Sequence, residues 1–362
     1  MAKKFIIAGG GTGGHIFPAI AIANALKVLQ PDAEFLFVGA KGKMEMEKVP
    51  QAGFNIIGIT IAGFDRASLL KNILLPYKLV RSFLETKKIF KNFTPDAVIG
   101  VGGYSSFPVL KYAQLKNIPS FIHESNSFAG KSNQLLAKKA TRIFVSMQGM
   151  EKFFPANKIV VSGNPIRQSI AHLSISRAAA LAFFNLNPNK TTILAMGGSL
   201  GARSINHAIA KNITAFELND LQLIWQTGKT TADQFIKVAS GHLNIWADAF
   251  ITDIDKAYAA ADIVISRSGA MAVTELCVTG KPTVFVPFPL AAEDHQTHNA
   301  MSLVNKQAAL IVTDANANKD LVDTVIQLAN NKLLQAQFAE NAKALAITNA
   351  DTIIANEILS LI

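Results

Sequence analysis

Short apolar runs alternate with longer stretches of helical periodicity along the chain. In the first half the strand candidates are residues 5–8, 34–38, 97–101, 120–123 and 142–145, and the first helical pattern begins near Gly14. Such alternation is typical of a parallel sheet covered by helices. The sequence therefore predicts an α/β fold for this half.

The same alternation restarts after an uneven stretch at residues 164–190. The strand candidates there are residues 191–196, 221–225, 262–266, 283–286 and 309–312. Both halves also open alike, because an apolar run leads into a glycine turn at residues 9–14 and again at residues 197–201. We therefore expect two Rossmann-like domains.

The end of the chain has a different pattern. From residue 318 onward the periodicity is helical only, with apolar residues at helical spacing over residues 352–362. We predict a first domain at residues 1–164, a second at residues 165–345, and a final helix at residues 346–362 that packs back on the first domain.

Composition supports a globular protein of this size. A chain of 362 residues is longer than the chains that usually fold around a single hydrophobic core. Half of its residues are hydrophobic and 17% are charged, a composition that excludes a disordered or fibrous chain. No apolar stretch reaches the roughly 18 residues of a membrane span, and the N-terminal run stops too early for a signal peptide. The single cysteine, Cys277, lies in an apolar helical pattern, which predicts core packing rather than catalysis.

The net charge of +10 predicts attraction to an anionic partner. Nucleic acid has little support beyond the charge, because no basic-aromatic module is recognisable. Residues 69–91 place Lys71, Lys78, Arg81 and Lys88 on one helical face, with a break expected at Pro76. That face is either an ordinary solvated surface or a surface that binds acidic lipid.

The first glycine turn contains the pattern G-x-G-x-x-G at Gly9, Gly11 and Gly14. Glycine lets the backbone approach a phosphate closely at a helix N-terminus. A dinucleotide site also needs an acid at the end of the second strand, whereas Glu34 lies at its start. This weakens the hypothesis of a nicotinamide oxidoreductase and leaves the turn as a candidate anion site.

Candidate bases follow the predicted strands. His15 lies in the first turn of the first helix, where the helix dipole favours a neutral imidazole that can act as a base, although it could also cap or pack. His123 and Glu124 end another strand at the carboxyl edge of the sheet, where ligands bind in such folds. They either share a structural hydrogen bond or take part in catalysis.

The second half has its own candidate ligand site at residues 266–275. Its small residues open a helix, so a ligand could lie against the helix N-terminus. Glu275 could bind a ribose diol, or it is simply an acid favoured near a helix start. Asp253 and Asp255 form a D-x-D tripeptide, for which helix capping is a better explanation than metal binding.

Taken together, these motifs resemble the MurG family of bacterial peptidoglycan N-acetylglucosaminyltransferases. The resemblance is carried by residues 10–15, 102–104, 123–126, 163–167, 197–202 and 267–270. It implies a GT-B architecture, in which two Rossmann-like domains have parallel sheets facing a deep cleft. It also implies inverting transfer of N-acetylglucosamine from UDP-GlcNAc to undecaprenyl-diphosphate-linked N-acetylmuramoyl-pentapeptide (lipid I), giving lipid II.

The resemblance also implies site residues. The donor would be bound by Arg167, Ser199, Ile251, Ala270, Met271, Ala272, Val273, Thr274, Glu275 and Gln296, with Asn299 nearby. The surroundings of the donor sugar would be completed by Thr12, Gly13, Gly14 and Asn126. The acceptor-side candidates are Gly11, Gly103, Tyr104 and His123. Ser125 stands where the family often has glutamine, which puts an acceptor contact there in doubt.

In the mechanism so implied, the acceptor hydroxyl attacks the anomeric carbon with His15 or Glu124 as base. Helix N-termini and Arg167 would stabilise the leaving UDP, so we expect no metal and no cofactor. The expected partners are UDP-GlcNAc, lipid I, an anionic membrane surface and cell-wall synthesis proteins, at the cytoplasmic face of the inner membrane.

Three alternatives remain open at this point. They are a related lipid glycosyltransferase, a UDP-GlcNAc epimerase, and a noncatalytic nucleotide-sugar-binding protein associated with the membrane. A product assay with donor and acceptor separates all three from the main hypothesis.

Overall fold

The computed structural model describes residues 2–63 and 72–362, which divide into two compact units. Unit 1 comprises Met1–Ile166 together with Ile347–Ile362, and unit 2 comprises Arg167–Ala346. Each unit contains one sheet in which every strand pairing is parallel. The predicted class, α/β with two parallel-sheet domains, is confirmed.

The described part of unit 1 forms a seven-stranded sheet. Its strands are β1 (Lys4–Ala8), β2 (Glu34–Ala40), β3 (Asn55–Ile59), β4 (Ala97–Gly100), β5 (Ser120–Glu124), β6 (Arg142–Val145) and β7 (Ile159–Val161), in the spatial order β3-β2-β1-β4-β5-β6-β7. The helices are α1 (Gly13–Leu29), α2 (Glu45–Gln51), α3 (Leu75–Phe93), α4 (Ser106–Leu115) and α5 (Lys131–Ala137), with short 3-10 helices at Met150–Lys152 and Ala156–Lys158.

The two faces of this sheet bury separate cores, as the period of two along each strand requires. Phe5, Ile7 and Phe121 pack on the face covered by α1. Ile6 and Ile122 pack on the opposite face, against residues of α3, α4 and α5. Alternate residues of each strand therefore pack against different sets of helices.

The last helix of the chain, α16 (Ala350–Leu359), belongs to unit 1 and packs against α1. Its Ile354 and Ile358 are fully buried in the α1-side core. Burying an isoleucine side chain contributes about 1.5–3 kcal/mol. Arg142 of β6 also pairs with Glu357 at 2.9 Å, so apolar burial and one ion pair hold the tail to this unit.

Unit 2, which is described throughout, forms a six-stranded sheet in the order β10-β9-β8-β11-β12-β13. Its strands are β8 (Thr191–Met196), β9 (Leu221–Gln226), β10 (Ile245–Asp248), β11 (Ile263–Ser266), β12 (Thr283–Phe285) and β13 (Leu310–Ile311). The helices are α6 (Gln168–Ala171), α7 (Arg177–Phe183), α8 (Arg203–Lys211), α9 (Ile213–Leu218), α10 (Ala232–Ala239), α11 (Ile254–Ala260), α12 (Ala270–Thr279), α13 (His295–Val304), α14 (Ala317–Ala329) and α15 (Lys332–Ala344), with 3-10 helices at Ala292–Asp294 and Asp314–Asn316.

The structure corrects the sequence analysis at several elements. The pattern did not predict β3, β7 and β10, and all three lie at an edge of their sheet. Pro76 does not break a helix, because it occupies the first turn of α3, where its missing N–H is tolerated. Of the predicted basic face, Lys71 lies outside the described residues, while Lys78, Arg81 and Lys88 all belong to α3.

Within the ranges that the structure describes, no helix combines the length and apolar character needed to cross a bilayer.

Cys277 lies in α12 and is buried, as the apolar pattern predicts. Burial raises the pKa of its thiol to about 12. Because the thiolate is the reactive form, both the raised pKa and the lack of access suppress its chemistry.

We therefore expect the native protein to react with a thiol reagent such as DTNB at pH 8 at least about 100-fold more slowly than the unfolded chain. The measurement compares absorbance traces in buffer and in guanidinium chloride, where one thiol per chain should appear. Rapid labelling of the folded protein would contradict this account of Cys277.

Candidate functional site

The strand order in unit 1 reverses beside β1, so the chain leaves β1 towards β2 while β4 lies on its other side. The loops after β1 and β4 lead to helices on opposite faces of the sheet, and ligands of open α/β sheets bind at such a reversal. The two loops touch closely, since a Cβ on Gly103 would lie 2.5 Å from the carbonyl oxygen of Gly10. Gly103 also has φ +80°, so glycine is needed there for two reasons.

The glycine loop leads into α1 through Thr12, which occupies the N-cap position. Gly13 and Gly14 form the first turn, where backbone N–H groups have no acceptor inside the helix. Gly11 differs from them, because its N–H donates to Oε2 of Glu45 at 2.9 Å. Within this loop, the amides suited to an anion are therefore those at the helix N-terminus.

His15 has a ring orientation set by the same loop. Its Nδ1 lies 3.1 Å from the carbonyl oxygen of Gly10 and 3.4 Å from Oγ1 of Thr12. A carbonyl oxygen only accepts, so Nδ1 carries the hydrogen, and Nε2 is the basic nitrogen of the neutral ring. A Cβ on Gly102 would lie 2.8 Å from Nε2, so glycine at that position makes room for the imidazole.

His123 and Glu124 do not share a hydrogen bond, and that interpretation of the pair is wrong. Successive residues of a strand point to opposite faces. His123 is fully buried, with Nδ1 3.4 Å from Oγ of Ser125. The pKa of His123 is lowered to about 4, mainly by burial and also by the nearby His15, while a hydrogen bond with the Gly163 backbone acts in the opposite direction. His123 is therefore neutral at physiological pH.

Glu124 organises the loop that follows β5. Its Oε1 accepts from the backbone N–H and the side-chain amide of Asn126, at 3.1 and 3.2 Å. Its Oε2 accepts from Gly130 N at 3.0 Å and from Asn133 Nδ2 at 2.8 Å. With both oxygens engaged and the side chain buried, Glu124 is better suited to hold Asn126 in place than to take up a proton.

Ser125 connects β5 to the start of α1. Its Oγ reaches the carbonyl oxygen of Gly14 at 3.5 Å, which is long for a hydrogen bond. Pro18 has no N–H for that carbonyl, so the helix itself leaves Gly14 oxygen without its usual donor. Asn164 Nδ2 donates to the Ser125 carbonyl at 3.0 Å. Ser125 is thus a buried, inward-facing residue of unit 1.

Tyr104 lies in the segment between β4 and α4, two residues before α4 and beside the glycine loop. A Cβ on Gly11 would be 3.8 Å from its ring, and the side chain is partly buried. Burial raises the pKa of its hydroxyl, and the charge of Glu45 raises it further. Tyr104 therefore offers a neutral hydroxyl next to Gly11.

Unit 2 repeats the same arrangement after β8 and β11. The turn after β8 contains Ser199, which is exposed, and leads into α8. Gln226, at the end of β9, donates to Gly198 oxygen at 3.0 Å and accepts from Ile251 N at 3.0 Å. One buried amide thereby joins the two loops that carry the donor candidates Ser199 and Ile251.

The loop after β11 opens α12, whose first residues are the donor candidates Ala270, Met271 and Ala272. Ser268 of this loop makes two hydrogen bonds with α13, because its Oγ donates to Gln296 oxygen at 2.8 Å and its carbonyl oxygen accepts from Asn299 Nδ2 at 3.1 Å. Gln296 also accepts from Phe288 N through Oε1 at 2.9 Å. The side chain of Gln296 is therefore oriented by its own loop.

Glu275 lies one turn further along α12, after Val273 and Thr274. Its Oε2 accepts from the hydroxyl of Tyr258 at 3.0 Å, and its Oε1 pairs with Arg167 Nη2 at 3.2 Å. Burial and the Glu275 carboxylate raise the pKa of Tyr258 well above its usual value, so Tyr258 remains a donor. The Arg167 side chain is 52% exposed, so solvent reaches part of its guanidinium group.

Asp253 and Asp255 have ordinary structural roles. Asp253 is at the N-cap position of α11, but its side chain makes no capping hydrogen bond and pairs instead with Lys256 at 2.9 Å. The expectation of a side-chain cap is therefore wrong in this detail. Across residues 2–63 and 72–362, no group of three His, Cys, Asp or Glu side chains is arranged to hold a metal ion.

Sequence reasoning missed Glu45, Tyr258 and Gln226. Tyr258 lies in the alanine-rich stretch 257–261 and Gln226 ends the apolar strand β9, so neither belongs to a recognisable ligand-binding motif. Glu45 has the sequence context of an acid in the first turn of a helix, which is a common surface feature. The sequence nevertheless contains a signal, since Glu45 is an acid only five residues after the end of β2 at Ala40.

Comparisons with known proteins agree with this geometry. The model of the glycosyltransferase family 28 N-terminal domain matches residues 5–145, and that of the C-terminal domain matches residues 192–356. The two matched ranges contain the two glycine turns and most of both sheets, while β7 lies between them.

Relatives match the chain over nearly its full length. Two of them, from Bacteroides thetaiotaomicron (50% identity, 99% of this chain, 97% of the relative) and Parabacteroides distasonis (49%, 99% and 98%), are named UDP-N-acetylglucosamine–N-acetylmuramyl-(pentapeptide) pyrophosphoryl-undecaprenol N-acetylglucosamine transferase. The crystal structure of Acinetobacter baumannii MurG superposes with a TM-score of 0.81 at 29% identity, over 99% of this chain and 100% of that one. The chain therefore belongs to glycosyltransferase family 28 and, within it, to the MurG family of hexosyltransferases.

Proposed function

We propose that this protein transfers N-acetylglucosamine from UDP-GlcNAc to lipid I, with inversion at the anomeric carbon, to give lipid II. One observation supports the proposal most strongly. About half of the residues, over nearly the whole chain, are identical to those of relatives named as N-acetylglucosamine transferases acting on pyrophosphoryl-undecaprenol N-acetylmuramyl-(pentapeptide). This favours the transferase over the epimerase, the other lipid glycosyltransferases and the noncatalytic binding protein. A product assay with UDP-GlcNAc and a lipid I analogue tests it directly.

Unit 2 is the proposed donor-binding unit. The N-terminus of α12 at Ala270 and Met271 is suited to the diphosphate, because its amides and dipole stabilise negative charge. Glu275 is proposed to bind the ribose hydroxyls, and Gln296 the sugar hydroxyls. Arg167 would keep one N–H on Glu275 and direct others to the diphosphate.

Unit 1 is the proposed acceptor-binding unit. We assign the acceptor diphosphate to the amides of Gly13 and Gly14 rather than to Gly11, whose N–H already donates to a carboxylate. Tyr104 would offer its neutral hydroxyl beside them. Thr12 and Asn126 are proposed to contact the donor sugar.

In the proposed reaction, the acceptor hydroxyl oxygen forms a bond to the anomeric carbon while the bond from that carbon to the UDP oxygen breaks. The hydroxyl proton passes to Nε2 of His15, and UDP leaves with the bonding electron pair. The growing negative charge is stabilised by Arg167 and the α12 N-terminus, so we propose that donor binding requires no divalent metal. His15 is preferred to Glu124 because both oxygens of Glu124 are already engaged by the following loop.

His15→Ala is expected to lower kcat by about 100- to 10,000-fold, the range typical of a lost general base, and to leave UDP-GlcNAc binding unchanged. Steady-state kinetics and donor titration by calorimetry measure the two effects. His207→Ala is the matched control, because His207 is an exposed histidine of unit 2 whose ring makes a T-shaped contact with Phe235. Full turnover by the His15 variant would remove His15 from the mechanism.

Tyr258→Phe is expected to raise the KM for UDP-GlcNAc by about tenfold with a smaller change in kcat, because Glu275 loses its buried hydrogen-bond donor. Tyr112→Phe serves as control, since Tyr112 packs on Phe90 in unit 1. If Glu275→Ala and Tyr258→Phe act through one contact, their effects on KM combine less than multiplicatively. Strict multiplicativity would show that Tyr258 does not act through Glu275.

We further propose that α3 and the residues just before it bind the cytoplasmic membrane surface. Ile73, Tyr77, Val80 and Leu84 recur at spacings of four, three and four residues, and each is more than 55% exposed. Basic residues flank this stripe on the same helix, namely Lys78, Arg81, Lys87 and Lys88. An exposed apolar stripe bordered by positive charge is the pattern of a helix that lies on an anionic bilayer.

The variant Lys78→Gln/Arg81→Gln/Lys88→Gln is expected to lose most binding to vesicles containing phosphatidylglycerol, and added salt should have the same effect on the wild type. Flotation measures the bound fraction. Lys131→Gln/Lys138→Gln/Lys139→Gln, which removes equal charge from exposed positions on and beside α5, is the control. Unchanged flotation of the α3 variant would refute the assignment.

A further inference from the structure

Glu45 is a buried carboxylate beneath the glycine loop of unit 1. It is 1% exposed, and its two oxygens accept from two backbone amides, Oε1 from Ala40 N at 2.9 Å and Oε2 from Gly11 N at 2.9 Å. The approach is so close that a Cβ on Gly10 would lie 2.2 Å from the carboxyl carbon. The carboxylate therefore joins the end of β2 to the loop after β1.

The peptide group that Glu45 contacts is also the one that orients His15. Gly11 N–H and Gly10 C=O belong to a single peptide unit. The N–H donates to Glu45, and the C=O accepts from Nδ1–H of His15 at 3.1 Å. A continuous chain of hydrogen bonds thus runs from the carboxylate through one peptide to the imidazole.

We propose that Glu45 is a positioning residue for His15 and acts through the Gly10–Gly11 peptide to fix the Nδ1–H tautomer and make Nε2 more basic. Hydrogen bonds in series polarise one another, so a carboxylate on the N–H side makes the carbonyl oxygen a better acceptor. When Nε2 takes the acceptor proton, positive charge forms on the ring and the Glu45 carboxylate stabilises it. The carboxylate itself gains no proton. The proposal rests on the proposed function only in taking His15 as the base.

The titratable groups around this peptide leave Glu45 as its source of negative charge. His123 from β5 is neutral near pH 7, because its pKa is about 4. Tyr104 is neutral as well, because burial raises the pKa of its hydroxyl. The one other ionisable side chain of α1 is Lys27, in its last turn.

Two helices pack against α1, namely α2 and α16. In α2, the other charged side chains are Glu47 and Lys48, which pair with each other at 3.1 Å. In α16, Glu357 is paired with Arg142, and Asp351 bonds the backbone of Thr352 at the helix start. We therefore expect substitution of Glu45 to have the largest effect on the electrostatic field at His15.

The first test is the pH profile of kcat for Glu45→Gln in the full chain. Because Nε2 must be unprotonated to accept the hydroxyl proton, kcat rises with pH along an acid limb. Removing the carboxylate destabilises the protonated ring, so the acid limb should move to lower pH by about 0.5–1 unit. The plateau should fall by about 10- to 100-fold, as expected when the partner that orients a functional histidine is lost. The KM for UDP-GlcNAc should not change.

The control is Asp96→Asn. Asp96 also accepts a backbone N–H in unit 1, from Lys4 at 2.8 Å, but it lies at the opposite edge of the sheet from the glycine loop. This variant should keep the wild-type acid limb. If Glu45→Gln lowers the plateau without moving the acid limb, Glu45 has only a structural role and the proposal is overturned.

A second measurement tests the proposal without the Glu45→Gln variant, and it therefore remains useful if that variant does not fold. In the wild-type chain labelled with ¹⁵N-histidine, the His15 signals, assigned with His15→Gln, should show the Nδ1–H tautomer of the neutral ring. A predominant Nε2–H tautomer would overturn the proposal. Failure of the proposed function gives a different result, because the wild type would then make no product or His15→Ala would retain turnover.

Discussion

The reversal of strand order beside the first strand of each sheet is the constraint on which both units depend. In unit 1 the chain moves from β1 to β2 in one direction while β4 lies in the other, and in unit 2 the strands β8, β9 and β11 repeat this arrangement. Two loops must diverge at that point, and a helix begins after each of them. Glycine turns, helix N-termini and polar strand ends therefore lie together at the carboxyl edge of each sheet. The strand order alone brings them there.

Much of this follows from the sequence, because it depends on local patterns. Buried parallel strands appear as continuous apolar runs such as residues 5–8 and 193–196, and glycine turns follow both. The edge strands β7 and β10 escaped prediction because they are short and only partly buried, so their patterns resemble those of loops. The interpretation of His123 and Glu124 as a bonded pair failed for an equally local reason, since neighbours in a strand face opposite sides of the sheet.

The hydrogen-bonded partners of the candidate residues could not be predicted in the same way. His15 was identifiable because it adjoins the glycine motif. Glu45 reaches the loop from a different helix, and Tyr258 reaches Glu275 from α11. Such contacts are set by how helices pack on the sheet, and no spacing in the sequence records them. Sequence therefore indicated which residues could meet substrates, while the structure was needed to find the residues that hold them in place.

Three buried carboxylates show how hydrogen bonding separates these two roles. Burying a carboxylate is costly unless its oxygens are paired, so the identity of the donors indicates what the group can still do. Both oxygens of Glu45 accept backbone N–H bonds and the side chain is sealed from solvent, so any influence it has on a ligand must pass through its neighbours. Glu124 is held by the backbone and amides of the loop that follows it. Glu275 differs from both, because one oxygen is held by Tyr258 while the other pairs with the half-exposed side chain of Arg167. Of the three, Glu275 is therefore the carboxylate best suited to bind a substrate directly.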